Sequence, residues 1–224
     1  MIPRPKAPLP SVSATRLDYY DTTWFLFMAA IVALAIRLSV KARWLSPACL
    51  TQRSLALQGL GLGMLILTSV LIARIRGRRS PAAELGWRIP RPSYLVIAVA
   101  GGTGMALAVV ITVWRTSPLV PKMGLGEGVI LAVVRTPLLE ESLFRGCLLP
   151  AVAGSVGLPG AVVITSLVFA LSHHPPTVLQ CVCFTLAGML YAWMRVASQS
   201  TAAATLMHAS YNLVLLGCAT FALH

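Results

Sequence analysis

Long apolar runs recur along this chain, separated by short stretches of basic residues, prolines and glycines. Positions 22–40, 54–73 and 94–114 form three such runs, and the second carries no charge at all. A helix of about 20 mostly apolar residues spans a hydrocarbon core of about 30 Å. After a loop with Pro118, Pro121 and Gly124, the apolar segment at 127–151 carries Arg135, Glu140, Glu141 and Arg145. No charged residue then appears before Arg195. Pro159-Gly160 and His173-His174-Pro175-Pro176 split that stretch into helices at 160–174 and 177–196. A last run at 200–222 holds His208 and Asn212. The pattern predicts an all-α, polytopic transmembrane bundle of about seven spans. Its sections are a flexible, proline-rich basic tail (1–21), N-terminal helices with a basic loop (22–126) and a helical core (127–224).

Composition closes off the alternatives. Hydrophobic residues make up 57%, charged residues 11%, and mean hydropathy is +0.81. A soluble domain is about a quarter charged, so this chain cannot furnish a water-facing surface. It reads as a multi-pass protein of the cell membrane. The tail lacks the order of basic start, apolar core and small-residue cleavage site that a signal peptide requires.

The net charge of +12 would suggest nucleic acid in a soluble protein. Here the basic residues punctuate apolar runs, no basic domain stands apart, and no aromatic platform accompanies them. Membrane lipids are the expected partners, and nucleic acid is not. Arg74, Arg76, Arg78, Arg79, Arg88 and Arg91 share one loop, which places it on the cytoplasmic side, with Arg195 on the same side by alternation. Five scattered cysteines lack CxxC spacing and read as small buried apolar side chains. Gly59, Gly61 and Gly63, like Gly101, Gly102 and Gly104, follow no strand, so they read as close helix contacts rather than a dinucleotide loop.

Polar groups are costly in hydrocarbon, so those that occur there carry the information. A central acid or base costs about 2.5–3.5 kcal/mol on insertion scales, yet two of the six acids, Glu140 and Glu141, sit together in an apolar helix. Glu141 precedes Arg145 by four residues, the favoured helical ion-pair orientation. Glu140 points about 100° away, which leaves it available for another role. His208 and Asn212, also four apart, share a helix face. Each of these groups alone reads as an interhelical hydrogen-bonding residue. Together, on three helices, they supply what hydrolysis of a carbonyl compound needs. A carboxylate beside an imidazole can take a proton from water, and a histidine with an asparagine can donate to an oxyanion. Ser142 and Cys147 have no histidine at a fixed helical offset and are poor nucleophile candidates.

The ordered set Glu140-Glu141-Ser142-Leu143-Phe144-Arg145, Phe169-Ala170-Leu171-Ser172-His173 and His208-Ala209-Ser210-Tyr211-Asn212 reads as EExxxR, FxxxH and HxxxN. It resembles the type II CAAX prenyl endopeptidase family, also called CPBP or Abi, over residues 127–220. The resemblance implies an intramembrane protease with its helices arranged around a polar catalytic cavity. It would cut a membrane-associated or prenylated (CAAX-like) protein or peptide. Glu140 with His173 would activate water, His208 and Asn212 would stabilise the oxyanion, and Glu141 and Arg145 would support the site. The family spacing from Phe169 selects His173 over His174. Family members are often labelled metalloproteases. There is no HExxH, and no cofactor is favoured, but His173, His208 and Glu140 are the set that would hold a divalent metal such as zinc. The competing readings are a non-catalytic binding or immunity protein that uses the same cluster for a partner, and a proton-relaying transporter.

Overall fold

The computed structural model describes residues 81–114, 125–173 and 175–221, with Gly63 and Leu67 as isolated helical positions. The spans expected at 22–40 and 54–73 lie outside the described residues. The described chain is helical, with no strand among the described residues. A short α1 (Pro81–Glu84) leads through an extended loop into α2 (Pro92–Val109), which widens into π turns over Val110–Trp114. Next comes one long helical run of alternating gauge. It comprises α3 (Leu125–Gly128), a π segment (Val129–Arg135), α4 (Thr136–Glu141), a second π segment (Ser142–Leu148) and α5 (Leu149–Ser172). The helices α6 (Val178–Ser198) and α7 (Thr201–Phe221) complete the bundle.

Among the described residues, four helices are long and apolar enough to cross a membrane: Pro92–Thr112, Val129–Ser172, Val178–Ser198 and Thr201–Thr220. The second is broken at Gly157, whose φ of 77° and ψ of 163° lie outside helical values. The expected division of this stretch at Pro159-Gly160 therefore falls slightly earlier. Glycine tolerates a positive φ without a Cβ clash, and Pro159 then sits near the start of the next helix, where a missing N–H costs little. Against the expected seven spans, the described residues thus hold four membrane-length helices, and two of the expected runs lie outside the described residues.

Local signals explain the other boundaries. Pro92 occupies the first turn of α2. The Thr177 hydroxyl caps α6 by accepting from the Gln180 amide at 3.2 Å, just after Pro175-Pro176. Gln199 ends α6 with a φ of 56°. Pro137 removes one helical N–H and crowds the carbonyl four residues back, and the wide turns of Val129–Arg135 take up that crowding.

The distribution of side chains is that of a bundle whose solvent is hydrocarbon. Val96 is 69% exposed, Ile111 76% and Leu171 61%, while Glu141, Arg145, Thr165, Gln180, Thr201 and His208 are buried. The core gathers Phe144, Leu148, Phe169, Tyr191, Met194 and Met207 between the helices. In the main pairings, α2 packs on α7 and α5 on α6.

Close approach at the α2–α7 contact depends on Gly102, where a Cβ would collide with the Met207 backbone carbonyl. A Cβ at Gly101 would come within 2.8 Å of the Met207 methyl group, whereas one at Gly104 would meet open space. The expectation of close packing holds for the first two glycines and fails for the third. We therefore expect Gly102→Val to lower bundle stability by about 1–3 kcal/mol or more, and Gly104→Ala to be neutral or better. Thermal melts in detergent check this, and equal melting points for both variants would show that the α2–α7 approach is not limiting.

Candidate active site

Glu140 and Glu141 end α4, and their different directions give them different neighbours. Glu141 turns inward and is fully buried. Its Oε1 accepts from Arg145 Nη1 at 3.1 Å and from His208 Nδ1 at 2.9 Å. Arg145, 1% exposed, donates through Nη2 to the Gly188 carbonyl at 2.8 Å. Its guanidinium carbon lies 4.8 Å from the Phe169 ring centre and 5.3 Å from that of Tyr191. A guanidinium sandwiched among aromatic faces and tied to a carboxylate is among the better-compensated buried charges.

Glu140 turns the other way, toward the end of α5. Its Oε2 lies 3.8 Å from His173 Nε2 and is buried with no hydrogen-bond partner. That gap is too long for a direct hydrogen bond. His173 Nδ1 lies 2.8 Å from the Phe169 carbonyl. A carbonyl can only accept, so Nδ1 carries the proton and Nε2 faces the carboxylate. The imidazole stacks on Phe184 at 4.6 Å and 24°. Two bases thus converge on one point with their other contacts fixed.

His208 is locked from two directions. Glu141 holds Nδ1, and the ring stacks on Tyr191 at 4.6 Å and 15°. Asn212, one turn along α7, donates through Nδ2 to the Ala132 carbonyl at 2.7 Å. This anchors α7 to the first π segment and leaves the second N–H of the amide uncommitted.

The structure thus brings Glu140 to His173, and Glu141 to Arg145 and His208. Sequence spacing foresees the Glu141–Arg145 pair but not the Glu141–His208 bond, which joins residues 67 positions apart. Phe169, whose ring meets those of Phe144, His173, Tyr191 and His208, entered only as a motif position. Tyr191, Phe184 and the Gly188 carbonyl were missed. Only Tyr191 left a trace, as a hydroxyl-bearing ring within an uncharged run. Ser142 is engaged on both sides: it donates to the Leu138 carbonyl at 2.7 Å and accepts from Trp87 Nε1 at 3.1 Å. His174 lies outside the described residues.

Among the described residues, no three His, Cys, Asp or Glu side chains gather as a ligand cluster. Of the set His173, His208 and Glu140, His208 directs Nδ1 to Glu141 and keeps Nε2 free, while Glu140 faces His173.

A helical membrane bundle with two carboxylate–imidazole pairs in its interior is the class this site defines. Residues 127–214 match the family described as Type II CAAX prenyl endopeptidase Rce1-like. Over those residues the chain is similar to this protease family, and the match is consistent with the wider CPBP group. No curated protein and no solved structure matches the chain.

The two adjacent glutamates should separate in a stability measurement. Glu141→Gln removes the charge that compensates buried Arg145 and should cost about 3–5 kcal/mol. Glu140→Gln, at a side chain 14% exposed with no ion pair shorter than 3.8 Å, should change stability by less than about 1 kcal/mol. Unfolding of both variants in detergent checks this, and equal losses would refute the division of labour.

Proposed function

We propose that the protein is a multi-pass intramembrane endopeptidase. It hydrolyses a peptide bond of a membrane-associated or prenylated, CAAX-like protein or peptide. The observation that carries this reading is the unpartnered Glu140 Oε2 facing His173 Nε2 inside a Rce1-like domain. Water held between the two bases loses a proton to them as its oxygen attacks the scissile carbonyl. The departing amine then takes up that proton.

The developing oxyanion is met by His208 Nε2–H and the second amide N–H of Asn212. His208 already donates Nδ1–H to Glu141, so donation from Nε2 requires the imidazolium. With Arg145 also positive and Glu141 negative, the cluster then carries one net positive charge, which the oxyanion cancels. Glu141 and Arg145 act as positioning residues: they fix the His208 ring and set this balance without touching the substrate.

Cleavage of a prenylated CAAX-type peptide and its unprenylated counterpart in liposomes tests the proposal. Glu140→Gln should lower turnover about 10²–10⁴-fold at matched folded yield, and Asn212→Ala about 10²–10³-fold. Undiminished cleavage by Glu140→Gln would remove the general-base assignment. A folded wild type that cuts neither peptide would point to a binding role for the cluster. Cleavage should also survive a chelator, whereas loss with recovery on adding zinc would place a metal in the site.

A further inference from the structure

Arg195, in the last turn of α6, is a buried cation with no counter-charge among the described residues. It is 9% exposed, its Nε is buried with no hydrogen-bond partner, and no described residue accepts from its guanidinium. The two carboxylates whose side chains are described are committed elsewhere: Glu140 faces His173, and Glu141 holds Arg145 and His208. The charged neighbour close enough to act on Arg195 is another cation, Arg88. An uncompensated buried charge of this kind is strongly unfavourable. Yet the fold makes room for it: at Gly86, with φ of 72°, the position of a Cβ is filled by the Arg195 guanidinium.

The surroundings indicate what completes the site. A small cleft beside it is lined by Arg195 and Arg145 and by the apolar side chains of Leu149, Leu158 and Val196. The adjoining loop is pinned to this end of the bundle, since Ser200 Oγ donates to the Arg88 carbonyl and the Thr201 amide to the Gly86 carbonyl at 2.8 Å. On that loop Ile89 is 96% exposed between two exposed arginines, Arg88 and Arg91. An exposed aliphatic side chain flanked by cations suits a membrane surface. A guanidinium offers five donors in a fork that matches phosphate oxygens. Basic pockets between membrane helices are also suited to lipid headgroups.

We propose that Arg195, with Arg88, forms a binding site for the phosphate of an anionic phospholipid headgroup at this end of the bundle. The headgroup supplies a negative charge that no described residue provides. Lipid binding is read directly, so the test needs no substrate.

The experiment follows thermal unfolding of the full chain in neutral detergent during titration with phosphatidylglycerol, phosphatidylcholine or inorganic phosphate. Phosphatidylglycerol should raise the wild-type midpoint, because a ligand that binds only the folded state stabilises it. Phosphatidylcholine should not. Arg195→Gln should weaken the apparent phosphatidylglycerol affinity at least tenfold, and Arg88→Gln should weaken it less. Without anionic lipid, Arg195→Gln should melt at or above the wild-type temperature, since it removes an uncompensated charge. That result also separates a binding role from a structural one. An equal response of wild type and Arg195→Gln to phosphatidylglycerol would overturn the site. So would a large loss of stability in the lipid-free variant. A midpoint rise with inorganic phosphate equal to that with phosphatidylglycerol would overturn the lipid as the source and assign the site to soluble phosphate.

Discussion

The bond network centred on Glu141 is the constraint from which the rest of the interior follows. One carboxylate oxygen joins Arg145 on its own helical run to His208 on α7, and Arg145 continues the chain of contacts to the Gly188 carbonyl on α6. Three helices are thereby held to a single buried charge. In hydrocarbon no water can replace a lost partner, so the arrangement tolerates little displacement. The aromatic rings of Phe169 and Tyr191 seal it, lying against the guanidinium and the His208 imidazole.

Around that anchor, departures from regular helix place the remaining groups. The π segments at Val129–Arg135 and Ser142–Leu148 flank the glutamate pair. Wide turns rotate the side chains that follow relative to a uniform α-helix, and such turns recur at functional sites. The first of them presents the Ala132 carbonyl to Asn212. The break at Gly157 redirects the chain so that the second part of α5 returns His173 to Glu140. Glu140 Oε2 has no hydrogen-bond partner, and Glu141 Oε2 and Arg145 Nε have none either, although Glu141 Oε1 is shared by Arg145 and His208. The two adjacent acids differ in their neighbours: one faces His173, the other Arg145 and His208.

A second buried guanidinium, that of Arg195, lies near this network, with Arg145 lining the same cleft. It has room made for it at Gly86 and, among the described residues, no carboxylate beside it. The loop from Leu85 to Arg91 touches both sites: Trp87 reaches Ser142 next to Glu141, Gly86 makes room for Arg195, and Thr201 Oγ1 donates to the Leu85 carbonyl. It also brings the basic loop and Arg195 to the same end, as the alternation of basic residues along the chain implies.

The sequence by itself determined the membrane class, the helical segments and the Glu141–Arg145 pair, because apolar run length and i,i+4 spacing are local properties. It also singled out Glu140, His173, His208 and Asn212, since a polar group inside an apolar run is conspicuous whatever the fold. Only the tertiary structure decided that His208 bonds to Glu141, that Asn212 holds Ala132 and that Tyr191 and Phe184 support the imidazoles. Those contacts join helices far apart in sequence, and an aromatic residue in an apolar run looks the same whether it meets lipid or a histidine. The break at Gly157 rather than at Pro159 was likewise settled in three dimensions, because a backbone φ is chosen by the packing on both sides of the bend.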